Sequence, residues 1–130
     1  MEKLKAEGKI KYYGISSYSA FRVNSSDNLH LNLQSIKRLA DRVAGGESGF
    51  CYITTPINIV MSEAFIEKHQ MVENSEKKHE AKELLRAAED LAINVLSVSP
   101  FLSGFLLETP LNFQNLKSLY IPVKHLNLIR

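Results

Sequence analysis

Three runs of small, mostly hydroxylated residues stand directly after short apolar segments: Ser16-Ser17, Thr54-Thr55, and the stretch from Ser99 to Gly104. A hydroxyl both donates and accepts hydrogen bonds, and a small side chain lets main-chain amides approach a phosphate. These residue types therefore suit the binding of a carboxamide or a phosphate. Alone they do not suit proton transfer or nucleophilic attack, which need a group of matched pKa or an activating base. The competing reading makes them ordinary loop and capping residues, a common role for Ser and Thr.

Stronger catalytic groups form no pattern. His30, His69, His79 and His125 have no histidine at i+4 and no HExxH arrangement, and all four are expected at the surface. Asp27 falls in a predicted loop, while Asp41 and Asp90 fall on predicted helices that should turn them to water. Cys51 lies inside an apolar strand, where an inert thiol is expected. Gly45-Gly46 follows a helix and lacks the Gly-Lys-Ser/Thr of a phosphate loop. No catalytic residue and no metal ligand is assigned.

The elements that position the three runs follow from periodicity and punctuation. Residues 2–7 are strong helix formers ending at Gly8, a C-terminal cap. Ile10–Ile15 predicts a strand with a polar exit, and the Asn, Ser and Asp between Asn24 and Asn28 are loop chemistry. Leu33, Ile36, Leu39, Ala40 and Val43 recur at spacings of three and four, predicting a helix over about 31–44 that stops at Gly45-Gly46. Phe50–Thr54 is the second strand. Residues 61–76 are polar, with a short helix from Ser62 to Gln70 and otherwise a surface excursion expected. A further helix is predicted over about 77–92, with Ala81, Leu84, Leu85, Ala88, Leu91 and Ala92 on its apolar face. Ile93–Val98 is the third strand, and a last helix is expected near 122–130, where Pro122 suits a first helical position.

Strands alternating with helices at this spacing imply parallel pairing and an α/β class. The 130 residues and 14.7 kDa allow one domain, residues 1–130. Apolar residues at 45% and charged residues at 23% exclude disorder and collagen. A net charge of +2 from scattered basic residues gives no argument for nucleic acid. The single cysteine excludes an intrachain disulfide and fits a reducing compartment. The charged first residues do not resemble a secretory signal, and no apolar run approaches the roughly 20 residues that span a bilayer. Asn24-Ser25-Ser26 matches the glycosylation acceptor pattern but is taken as a polar loop. A cytoplasmic protein with no membrane partner is expected. Three strands are few for a covered parallel sheet, so the chain is expected to be incomplete, with open edges that offer a route to a homo-oligomer.

Glu7-Gly8-Lys9-Ile10-Lys11-Tyr12-Tyr13-Gly14-Ile15-Ser16-Ser17-Tyr18-Ser19 resembles the aldo/keto reductase stretch E-G-K-(I/V)-(R/K)-x-x-G-(I/V)-S-N-(Y/F)-(S/T). Ile53-Thr54-Thr55-Pro56-Ile57-Asn58 is similar to that family's (V/I)-Q-x-x-(Y/L/I)-N strand end. From Ala81 to Leu106, the chain is similar to A-x-x-L-G-(I/V)-x-V-x-x-x-S-P-L-x-x-G-x-L. The three motifs keep the family's order and cover about residues 2–107.

The resemblance implies a partial (β/α)8 TIM barrel of about three βα units, equivalent to strands five, six and seven. It implies an NADP(H) cofactor and a small-molecule carbonyl substrate for the complete enzyme. The family's Asp, Tyr, Lys and His come from the first four strands, so this chain would carry none of them and would be inactive alone. The segment gripping the adenosine 2′-phosphate would also be missing. Carried over by position, Ser16 matches the serine beside the nicotinamide carboxamide, while Ser17 stands where Asn is usual and Thr54 where Gln is usual. Val98 stands where many members have a stacking aromatic residue. Ser99, Phe101 and Ser103 match the loop that approaches the pyrophosphate, with Phe in place of Leu. The alternative reading is a non-enzymatic half-barrel subunit or interaction module that assembles with itself or with another chain.

Overall fold

The computed structural model describes residues 1–74 and 76–108. Three strands, β1 (Tyr13–Ser16), β2 (Phe50–Pro56) and β5 (Asn94–Val98), form a parallel sheet in the order β1-β2-β5. Consecutive parallel strands need crossovers. Helix α2 (Leu33–Ala44) fills the first, and α3 (Glu63–Ile66) with α4 (Leu84–Asp90) the second. The α/β class and the parallel sheet are as the sequence leads one to expect.

Helix α2 has a physical start and stop. The Asn32 side chain accepts the Ser35 N–H as an N-cap, and Gly45 takes the left-handed φ of 71° that closes the C-terminus. Its inward face is narrower than the periodicity implies: Leu33 is buried and Ile36 and Ala40 pack on the core, but Leu39 and Val43 are 58% and 68% exposed. The core joins α2 to the sheet and to α3 and α4 through Phe21, Leu33, Phe50, Ile53, Ala64, Leu84, Ala88 and Ile93. Helix α1 (Glu2–Ala6) lies against the start of β2, where Glu2 accepts the Gly49 N–H at 2.9 Å and Lys5 donates to the Glu47 carbonyl.

Three expectations are overturned. Strand β1 begins at Tyr13 rather than Ile10, because parallel pairing begins at Tyr13 opposite Phe50. The helix expected over 77–92 is divided: β4 (His79–Lys82) pairs antiparallel with β3 (Gln70–Glu73), and helix resumes only at Leu84. Segment 61–76 therefore contributes a strand rather than a loose excursion, and its helix is confined to Glu63–Ile66. Lys- and Glu-rich residues favour helix only weakly, and cross-strand pairing overrides that preference. Asn74 turns the hairpin by accepting the N–H groups of Glu76 and Lys78.

The outer edge of β3 is covered by side-chain amides. Asn32 donates to the Met71 carbonyl at 2.8 Å, and Gln34 both accepts the Glu73 N–H at 2.9 Å and donates to the Glu73 carbonyl at 3.4 Å. These amides act as a short surrogate strand and protect an edge otherwise open to pairing. The helix expected near 122–130 lies outside the described residues.

Candidate functional site

Because the three strands are parallel, their C-terminal ends Ser16, Pro56 and Val98 share one rim of the sheet. Register sets Ser16 opposite Thr54, Thr54 opposite Leu96, and Pro56 opposite Val98. Strand alternation gives the two faces different character. Tyr13, Ile15, Ile53 and Val95 belong to the core, so Gly14, Ser16, Thr54, Leu96 and Val98 fall on the other face. That face is open along β5, with Leu96 51% and Val98 37% exposed, whereas Pro56 beside Val98 is fully buried. Of the sequence-derived site residues, Ser16 and Thr54 are neighbours across β1 and β2, and Val98 lies one strand over.

The exits from the strands are tied together. The Ser17 N–H donates to the Thr54 carbonyl at 2.9 Å, continuing the ladder past Ser16. The Ser17 hydroxyl accepts the Ala20 N–H at 3.0 Å, so this side chain serves its own turn. Asn58 is buried just after β2. Its Oδ1 accepts the N–H groups of Val60 and Met61, both at 2.9 Å, and its Nδ2 donates to the Ser99 carbonyl at 2.9 Å. Ser97 donates to the Ile57 carbonyl at 2.8 Å. The β2 and β5 exits are thus cross-braced twice.

The loop that follows is tightly wound. Ser99, Leu102 and Ser103 take left-handed φ values of 51°, 52° and 57°, and Gly104 takes 94°. Leu102 N–H bonds back to the Ser99 carbonyl at 2.9 Å, while the Gly104 and Leu106 N–H groups bond to the Phe101 carbonyl at 3.0 and 3.2 Å. Left-handed residues are the ingredients of concave amide nests that receive anions. Ser103 is exposed, and Phe101, 57% exposed, stands out from the loop.

No family model, curated protein or solved structure matches this chain. The candidate site therefore rests on its own geometry and on the resemblance set out above.

Sequence reasoning gave Asn58 no role, although Asn near a strand end followed by a turn is a signal for side-chain-to-backbone bonding. It also treated Thr54 and Thr55 as one hydroxyl pair. The pleat separates them: Thr54 faces the open side, whereas Thr55 is fully buried and its hydroxyl has no hydrogen-bond partner among the described residues.

The stronger titratable groups lie elsewhere. Cys51 is partly buried in β2, and burial pushes its thiol above the ordinary range, the wrong direction for a nucleophile. Asp41 does not simply face water: burial opposes its charge, but hydrogen bonds from Lys37 and Ser48 outweigh that and hold it at about 2. His30 and His69 are partly buried rather than on the surface. A hollow of about 490 Å³ between α3 and α4 is lined by Ala64, Phe65, Glu83, Leu85, Arg86 and Glu89, and none of the sequence-derived site residues lines it. No helix among the described residues is long and apolar enough to cross a membrane.

Proposed function

We propose that this chain is the strand-five to strand-seven part of an NADP(H)-dependent aldo/keto reductase of (β/α)8 architecture, and that it does not catalyse carbonyl reduction alone. The observation that carries the reading is backbone geometry at the glycines of the quoted patterns. Gly8 and Gly104 have φ values of 71° and 94°, and a Cβ on Gly14 would lie 2.2 Å from the Tyr52 carbonyl oxygen. The fourth pattern glycine is replaced here by Ala92, whose φ is nonetheless 53°. All four positions thus call for glycine on physical grounds, which composition does not explain. The simple β1-β2-β5 order and the single helix-covered face also accord with a section of barrel wall.

The described residues suit the nicotinamide and pyrophosphate end of the cofactor. Ser16 and Thr54 offer adjacent hydroxyls that both donate and accept, as a carboxamide requires. Val98 supplies an apolar wall, and Ser99 to Gly104, with Phe101 and Ser103, supply the loop for the diphosphate. Bound NADPH would supply hydride. The chain's own residues would bind and orient it, since the described rim residues Ser16, Thr54 and Val98 are hydroxyl or apolar groups without an acid of matched pKa.

The second reading, a half-barrel subunit that assembles with itself or another chain, is favoured by the open face bearing Leu96 and Val98. A parallel sheet is normally covered on both faces. Intact mass of the endogenous protein, captured with an antibody against residues 77–92, separates the two. A species more than twice 14.7 kDa supports the reductase part, and one at 14.7 kDa supports the subunit. Steady NADPH oxidation by the purified 130-residue chain with a panel of aldehydes would overturn the prediction of inactivity.

A further inference from the structure

Gln70, the first residue of β3, is fully buried, and its amide orientation is over-determined. Its Oε1 accepts the Leu33 N–H at 2.8 Å, while its Nε2 lies 3.2 Å from the Leu31 carbonyl and 3.2 Å from Nε2 of His30. Reversing the amide would set donor against the Leu33 donor and acceptor against the Leu31 acceptor. Nε2 of Gln70 therefore carries the donors, and Nε2 of His30 accepts. An imidazole nitrogen accepts only when unprotonated, so the neutral His30 ring keeps its proton on Nδ1.

We propose that His30 and Gln70 form an acid-sensitive latch, in which protonation of His30 turns an acceptor into a donor facing the Gln70 NH2 and loosens the β3–β4 hairpin from the start of α2. Gln70 is one of the three amide side chains that join these elements, with Asn32 and Gln34. The start of α2 and the hairpin both lie on connections that leave the C-terminal ends of β1 and β2. The inference does not depend on the reductase reading.

The surroundings keep His30 neutral near pH 7. Burial lowers its pKa below the ordinary 6.5, and the charge of His69 acts the same way, while the His69 backbone and Asp27 oppose them. His69 in turn has Nε2 3.5 Å from Glu67 and Nδ1 3.1 Å from the Arg22 carbonyl. With the folded pKa below the unfolded one, the unfolded chain takes up the proton first. The latch contributes fully above the unfolded pKa and weakens as pH falls below it toward the folded value.

The test uses the full chain. Nitrogen-15 NMR at about pH 7.5 should show the His30 ring protonated on Nδ1. Amide-exchange protection of Leu33 and of β3, corrected for intrinsic exchange, should fall about threefold to tenfold between about pH 7.5 and 5.5. His30→Gln, which keeps an acceptor but does not titrate, should abolish the fall, and His69→Gln should retain it. An Nε2-protonated ring at pH 7.5, equal protection at the two pH values, or loss of the effect in His69→Gln would overturn the proposal. The first two measurements, made on the unaltered chain, decide the matter even if a variant fails to fold.

Discussion

The side chain of Asn58 donates to the backbone carbonyl of Ser99 across 2.9 Å, joining the second residue after β2 to the first after β5. Ser99 sits at a left-handed φ of 51°, a conformation that costs a non-glycine residue about 1 kcal/mol or more. The brace from Asn58 helps hold the peptide there and sets where the Ser99–Gly104 loop begins.

Two substitutions separate the functions of that brace. Asn58→Asp keeps the acceptor for Val60 and Met61 but sets a carboxylate against the Ser99 carbonyl. Exchange protection should fall in the 99–106 loop and remain at Val60 and Met61. Asn58→Ala removes both ends and leaves buried N–H groups unpaired, at a cost of about 3 kcal/mol in a urea unfolding curve.

Backbone conformation makes opposite predictions at Gly14 and Ala92. Gly14→Ala would press a methyl into the Tyr52 backbone, which cannot swing aside as a side chain can. It should destabilise by about 2 kcal/mol or more. Ala92→Gly relaxes a left-handed residue in the turn after α4, where the Ile93 N–H reaches the Ala88 carbonyl at 2.8 Å. It should stabilise by about 0.5–1 kcal/mol, and thermal midpoints of the two variants should move in opposite directions.

Thr55→Val should be neutral or stabilising. The Thr55 hydroxyl is buried without a partner among the described residues, so its loss removes a desolvation cost and keeps the shape of the side chain. A gain of up to about 1 kcal/mol is expected. A loss of more than that, measured by chemical denaturation, would mean that the hydroxyl has a hydrogen bond in solution.

Acid should release the Asp41 brace below the range of an ordinary carboxylate. Its folded pKa of about 2 lies below the unfolded 3.8, so its contribution is complete above pH 3.8 and is lost as pH falls through about 2. The carboxylate is partly exposed, and solvent screening limits the effect to about 1 kcal/mol or less. Denaturation midpoints of the parent chain and Asp41→Asn, compared from pH 5 to 2, should converge as the acid limit is approached.

Local chemistry made much of the main sheet and of α2 legible. Apolar runs mark Phe50 and Ile93 as the regions where strands begin, and Asn32 and Gly45 bound the helix with their own cap geometry. The hairpin was not legible. His79-Glu80-Ala81-Lys82 has helical composition, and its strand conformation depends on pairing with Gln70–Glu73, which is itself held by the amides of Asn32 and Gln34 across 39 residues of chain. Similarly, Leu39 and Val43 fit the helical period, but the core extends only as far as Ile36 and Ala40.

The candidate site divides along the same line. Residue type and position at the end of an apolar run suffice to pick out Ser16, Thr54 and Ser99, because that pattern is local, although β2 continues through Thr54 and Thr55 to Pro56 and only Ser99 follows its strand. Which of these share a surface depends on register and pleat, and these are properties of paired strands. Register places Thr54 beside Ser16 and leaves Thr55 in the core, although the two threonines are adjacent in the chain. The brace from Asn58 and the placement of Gln70 depend on partners 41 and 37 residues away. Sequence alone determined the α/β class and the hydroxyl-bearing exits, which follow from short-range propensity and periodicity. Tertiary structure decided the hairpin, the brace and the latch, because each is a hydrogen bond between segments that meet only once the core has closed.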